Sequence, residues 1–342
     1  MWQRTKRGSG RASGSSIVNG RGHVRNHHKS GSGHGRGQGI QLPNQSSRSK
    51  MLSFGLSLVG FGPERQQCKD DLCMRRFYAH FGLGPKPMKA LIADLKEDQP
   101  NKPLDKISLF MAIAWLRLYE TEELMAGRWG FGEKYCREIV RDYVSRIQAL
   151  KPKKIKFDDL PPECEFLPVD VVHIRCQEFR CKPNSKWWSH KSNGPAVAFE
   201  VVTDPVEGKI RWVNGPEPPT THDLTFLRGG KKGKKSEWKT SALYFHLPEN
   251  VRLIGDSAYG GQPDKVSTTN DAHNSKTKEI FARMKSLQET VFKRMKDYKV
   301  LRESFRHGSS HDNKLERLRV SFEAVAVLVE YDIEYGRGLF EV

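Results

Sequence analysis

The chain has 342 residues, 58 Lys or Arg against 40 Asp or Glu, a formal charge of +18 and a pI near 9.6. That length predicts about two domains, and the charge favours an anionic partner, nucleic acid above all. No apolar run approaches the roughly 18 residues of a membrane-spanning helix, so a soluble protein without a membrane partner is expected. Cys68, Cys73, Cys136, Cys164, Cys176 and Cys181 show no paired CxxC spacing. A disulfide scaffold or zinc ribbon is therefore disfavoured, and reduced intracellular thiols are expected. Cys176 and Cys181 with His190 could bind zinc, packed or exposed thiols being the alternative.

Residues 1–50 hold ten Lys or Arg and no acid, more than half of the excess charge. Their runs RGSGRASGSS and KSGSGHGRGQG offer too little apolar surface to fold. The expectation is a disordered basic tail over residues 1–60, either attracted to polyanions or a plain flexible arm. LSFGLSLVGFG after Met51 lacks the basic flank and small-residue cleavage site of a signal segment.

Residues 64–150 read as a helical domain broken near Pro100 and Pro103. DKISLFMAIAWLRLY sets Ile107, Phe110, Met111, Ile113, Ala114 and Leu116 on an apolar stripe. Thr121 is placed to cap TEELMAGRW. After the turn GFG, EKYCREIVRDYVSRIQAL repeats Tyr135, Ile139, Tyr143 and Ile147 as its inward face. Helix, glycine turn, helix is the outline of a helix-turn-helix. Lys134, Arg137 and Arg141 on the second helix are then candidate DNA contacts, or a solvated helix face.

From residue 151 the period changes. KPKKIKFDDLPPE reads as a linker, and VDVVHIRC, AVAFEVVTD and KIRWVNG as three strands in an antiparallel meander. THDLTFLRGG begins a helix capped by Thr220 or Thr221, interrupted by the basic insert GGKKGKKSEWK. VRLIGDSAYGG adds a strand parallel to the first. KTKEIFARMKSLQETVFKRMKDYKVL is expected as one long helix, and LERLRVSFEAVAVLVEYDIEY as the last. The order predicts an α/β fold over residues 151–342, a ribonuclease-H-like mixed sheet with flanking helices.

Asp170 stands inside an apolar strand and Asp256 just beyond another, where an acid needs a reason. Carboxylates gathered at one end of a sheet hold divalent ions that activate water or a 3′-hydroxyl against a phosphodiester. With Glu289 on the long helix they form a candidate Asp-Asp-Glu site for two Mg²⁺ or Mn²⁺ ions. Asp170 would bridge both, with Asp256 and Glu289 completing one site each. Lys285, Lys293 and Lys296 share a helix face with Glu289 and could grip a DNA strand. His222 and Asp223 could join the site or serve as a helix cap. Tyr259 and Gly260 form a tight turn beside Asp256, or Tyr259 is a packed ring. Asp204 reads as a turn residue, and His173 and His190 as hydrogen-bonded or surface groups. Trp187 and Trp188, beside Lys186, Ser189 and Lys191, fit either base stacking or a packed turn.

Over residues 64 to the C-terminus the chain resembles the Harbinger-type DDE transposases. The shared elements are PVDVVHIR, WWSHKSNGPAVAFEV, RWVNGPEPPTTHDLTFLR, LIGDSAYGG, ETVFKRMKDYKVL, FRHG and FEAVAVLVEY. The resemblance implies a nuclear DNA endonuclease and strand transferase with Asp170, Asp256 and Glu289 as catalytic acids. It also implies a basic auxiliary residue at Lys296, a separate Myb-like DNA-binding partner, and possible homodimers. Val171 and Val172 stand where the family often has Gly and Thr, and the tail and the insert have no counterpart in it. The rival reading is a host-retained, catalytically inactive protein that binds DNA or a partner. A third is an RNA-binding protein acting through its basic tail.

Overall fold

The computed structural model describes residues 49–177, 185–272 and 274–339. Residues 1–48 of the expected basic tail, and Cys181, lie outside the described residues.

Helix begins at Lys50, inside the segment read as tail. Helix α1 (Lys50–Leu58) buries Leu52 and Leu56. Gly55 lets it approach so closely that a Cβ there would lie 2.4 Å from the Phe77 ring. Helices α2 (Asp70–Phe81) and α3 (Pro85–Asp98) follow. Helix α4 (Lys106–Leu118) is capped by Asp105, whose carboxylate accepts the Ile107 and Ser108 amides at 3.3 and 2.9 Å. The expected one-sided stripe on α4 is wrong in kind. Every residue from Ser108 to Leu116 is buried, while Ile107 is 38% exposed, because this helix is surrounded by others.

Helix α5 (Glu122–Trp129) is capped by Thr121 as read from the sequence, and a glycine turn leads into α6 (Glu133–Gln148). The inward face of α6 is Cys136, Val140, Tyr143, Val144 and Ile147, whereas Tyr135 is 46% exposed. Steps of four residues drift about 40° each around a 3.6-residue helix, so the expected row starts outside and ends inside.

After the short α7 (Lys151–Lys154) come β1 (Phe166–Arg175), β2 (Trp188–Ser189), β3 (Gly194–Thr203) and β4 (Ile210–Glu217). Then follow α8 (Asp223–Arg228), α9 (Leu243–His246), β5 (Arg252–Gly255) and β6 (Val266–Thr268). Strands β1, β3 and β4 are antiparallel, β2 extends the start of β3, and β5 and β6 join parallel to β1. The sheet order is thus β4-β3-β1-β5-β6, a mixed sheet in an α/β fold. The cap of α8 is His222, which accepts the Leu224 amide, rather than either threonine.

The long helix divides into α10 (Ser275–Lys296) and α11 (Lys299–Arg302). The break delivers Tyr298 into the core, where its ring lies on Gly82 and under the Arg117 guanidinium. Helix α12 (His311–Tyr335) is buried from Ser321 to Ile333. Its buried acids are paired: Glu323 with Lys151 and Arg319, both at 2.8 Å, Glu330 with the Ile210 amide, and Asp332 with Arg337 at 2.8 Å. One apolar core runs through α1 to α6, one face of β1, β3 and β4, and α10 to α12, so the helical half and the sheet pack as one unit.

Candidate metal and nucleic-acid site

Alternation along β1 puts Phe166, Pro168, Asp170, Val172 and Ile174 on one face and Leu167, Val169 and Val171 on the other. Val172 and Ile174 belong to the core shared with α12, and Phe166 packs with Ile254 of β5 and with Phe281 and Met284 of α10. Asp170 is therefore an acid in the row that α10 to α12 cover. In the parallel pairing of β1 with β5, Pro168 stands opposite Ile254. Asp256 lies two residues beyond that pair, just after β5 ends at Gly255, and its charge raises the Asp170 carboxyl. Two acids with 85 residues of sequence between them are thus brought within electrostatic reach of each other.

Local bonds fix both carboxylates. Asp170 accepts the Val171 amide at 2.7 Å, and Asp256 accepts the Ala258 amide at 2.9 Å as the cap of the turn Ser257–Tyr259. Asp223, at the start of α8, approaches from the other side of the sheet end. Arg228 of the same helix ties α8 to the loop after Asp256, through Gln262 and the Gly261 carbonyl, both at 2.6 Å. Burial and the charges of neighbouring acids push the Asp170 and Asp223 carboxyls up, while Lys191 draws both down. Lys285 also lowers Asp170. Lys296, half-buried, is itself pushed down by burial and held up by Asp170.

Glu289 is exposed on α10, in a shallow depression with Phe292, Lys293, Lys296, Asp297 and Arg302. The helix that carries it covers the Asp170 and Asp256 face. The neighbouring Gln288 donates to the carbonyl of Val201, the residue paired with Asp170. Asp170, Asp223 and Asp256 thus act on one another, and Glu289 stands outside them. Among the described residues no three His, Cys, Asp or Glu are close enough as they stand to enclose an ion.

Glu200 was not read from the sequence, although AVAFEVVTD gives the same signal as Asp170, an acid inside an apolar strand. It is wholly buried on β3 and bonded at 3.3 Å to the Trp212 indole. Burial first, and Asp223 in addition, push its carboxyl up to about 8, the Trp212 bond opposing. Its Oε1 and the buried hydroxyl of Tyr259 have no hydrogen-bond partner among the described residues. Tyr259 is a packed ring, pushed well up by burial and by Glu200, Asp223, Asp170 and Asp256.

The remaining candidates divide. Val171 packs on Ala198 and Phe226, and Val172 lies in the main core, so both valines serve packing. His173 bonds Ser189 at 2.7 Å, and burial lowers it to about 4. Asp204 is the buried hub of its turn, accepting the amides of Val206, Glu207 and Gly208 and the Arg211 guanidinium. Trp187 is buried against His311, whereas Trp188 is 42% exposed. Cys176 is buried, which pushes its thiol up to about 11, and His190 is exposed. On α6, Lys134 is exposed beside Glu138, Arg141 is exposed, and Arg137 is held by a two-point ion pair with Glu122. The outward face of α6 also carries Glu133, Glu138 and Asp142, so it is not strongly basic.

No protein-family model matches the chain, and no curated protein matches it significantly.

Proposed function

We propose that the chain is a metal-dependent DNA endonuclease and strand transferase of the Harbinger-type DDE kind, built on a ribonuclease-H-like domain. The observation that carries this is the pair Asp170 on β1 and Asp256 just after the parallel strand β5, within electrostatic reach of each other, with Asp223 close by and lysines around them. Three antiparallel strands followed by a strand added parallel to the first is the order that a ribonuclease-H-like sheet calls for.

Hard oxygen donors under mutual repulsion fit Mg²⁺ or Mn²⁺, and the unpartnered Tyr259 hydroxyl and Glu200 oxygen fit a polar environment that needs further ligands. Asp170 and Asp256 would hold the ions, with Asp223 auxiliary and Glu289 completing the set from α10. When bound, such ions supply Lewis acidity and an activated oxygen nucleophile. The chain's own part is to align the carboxylates through the Val171 and Ala258 amides, and to seat the phosphate backbone on Lys285, Lys293 and Lys296. DNA as substrate, a nuclear location, a Myb-like partner and a homodimer belong to the same proposal. A host-retained, inactive derivative is the second reading, favoured by the exposed position of Glu289.

Supercoiled plasmid incubated with the full chain and Mg²⁺ or Mn²⁺ tests it. Nicking by the wild type, lost in Asp256→Asn and Glu289→Gln variants with unchanged circular dichroism, is the expected result. Absence of nicking under both metals, or equal nicking by Asp256→Asn, would overturn the nuclease assignment.

A further inference from the structure

Between α5, α6, the segment after α11 and the start of α12 lies a cavity of about 320 Å³. That is the lower end of the usual size for small-molecule sites, roughly 300–1,000 Å³. None of its lining residues belongs to the acidic cluster. Three guanidinium groups reach its wall: Arg137 and Arg141 from α6, and Arg317 from α12. Arg137 is neutralised by Glu122, its Nε donating at 2.7 Å. The other acid on the wall, Glu316, is taken up by Arg319 at 2.7 and 2.8 Å. Arg141 and Arg317 have no hydrogen bond or ion pair among the described residues, so two guanidinium groups face one concave space with the longer-range charge of Glu122, already paired with Arg137, partly offsetting them. Burial lowers the Arg317 guanidinium, and repulsion by Arg141 and Arg137 lowers it further.

The floor is of opposite character. The Trp115 indole, the Phe305 ring and Val140 line it. His307, whose ring meets both aromatics edge-on, has its Nε2 buried without a partner. Burial holds that imidazole at about 4, so it is neutral at pH 7 and adds no charge to the cavity.

Like charges over an apolar floor are satisfied by a ligand with an acidic head and an apolar body. A carboxylate brings two oxygens and one charge, enough for one guanidinium. Two guanidinium groups from separate helices match a phosphate monoester, with three terminal oxygens and up to two charges. We propose that this cavity binds a phosphomonoester with an aromatic or nucleoside body, its phosphate between Arg141 and Arg317 and its ring against Trp115 and Val140. The site is independent of whether the chain cuts DNA. A free nucleotide and the 5′-phosphorylated end of a DNA strand share this chemistry.

Calorimetry and thermal-shift measurements on the full chain test it, with phenyl phosphate, phenol, inorganic phosphate and dAMP as probes. Phenyl phosphate and dAMP are expected to bind and raise the melting temperature, with phenol and inorganic phosphate at least about tenfold weaker. Arg141→Ala and Arg317→Ala should each weaken phenyl phosphate by about tenfold or more. The unliganded Arg317→Ala protein should melt no lower than the wild type, because repulsion is relieved, and Lys134→Ala should bind normally. Displacement of phenyl phosphate by a 5′-phosphorylated but not a 5′-hydroxyl oligonucleotide identifies the strand end; displacement by dAMP alone identifies the free nucleotide. Absence of phenyl phosphate binding, inorganic phosphate binding as tightly, or unchanged affinity in the Arg141→Ala, Arg317→Ala double variant would overturn the proposal.

Discussion

Glu200 is the residue whose chemistry is most out of keeping with its surroundings. A carboxyl wholly inside a sheet and raised to about 8 binds its proton more tightly in the folded than in the unfolded chain. The stability it contributes is fully present below the ordinary glutamate range and is lost as pH rises through about 8. Glu200→Gln, the neutral isostere, is therefore expected to match wild type near pH 4.5 and to exceed it at pH 8 to 9. The gain at the upper end is on the order of 4 kcal/mol. Urea unfolding at the two pH values measures it; a variant less stable at both would mean that the ionised carboxylate has a partner that keeps it charged. The same reasoning applies to Asp170 and Asp223 at the sheet end. Their raised carboxyls cost the fold stability at neutral pH, as burial of Glu200 does.

At the level of elements, two glycines separate propensity from packing. Gly82 ends α2 at φ 74°, and a Cβ there would lie 2.6 Å from the Tyr298 ring. Gly82→Ala is expected to lose about 2 to 4 kcal/mol, from left-handed backbone strain and from overpacking at the α10–α11 break. Gly127 lies within α5, with nothing within 4 Å of an added Cβ, and Gly127→Ala should gain about 0.5 to 1 kcal/mol. Chemical denaturation of both variants checks the pair, and opposite signs are the result that matters. The same contrast explains what the sequence made legible. Thr121 and the glycine turn announced α5 and α6 through chemistry local to a few residues. Ile107 and Tyr135 were misassigned because their exposure depends on which neighbours surround α4 and α6, and the tyrosine that breaks α10 does so for a contact with Gly82, far away in sequence. Strands β2 and β6 are too short for alternation to reveal. Asp170 and Asp256 were legible as acids beside apolar strands, whereas their approach depends on the pairing of β1 with β5. Arg317 carried no signal, since a single basic residue in a basic chain stands out only when its neighbours are known.

The whole molecule carries its charge unevenly, and that decides where DNA should meet it. Residues 1–48 contain nine of the Lys and Arg, leaving +9 for residues 49–342. Within the folded part, α10 presents Lys285, Lys293 and Lys296 beside the acids, with Arg302 close by. Helix α6 sets Glu133, Glu138 and Asp142 among its bases and binds Arg137 internally. A polyanion is attracted to the first surface and gains little from the second. Each phosphate neutralised by a lysine releases counterions and contributes about 0.9 to the slope of log affinity against log salt. Replacing Lys285, Lys293 and Lys296 with alanine should therefore reduce the slope for duplex DNA by about 3, and removing residues 1–48 should reduce it separately. Lys134→Ala with Arg137→Ala should leave it nearly unchanged. Fluorescence anisotropy over a salt series measures all four proteins. A slope that falls with the α6 pair and not with the α10 triple would move the DNA to the helix-turn-helix side and away from the acids, leaving Asp170 and Asp256 without a substrate beside them.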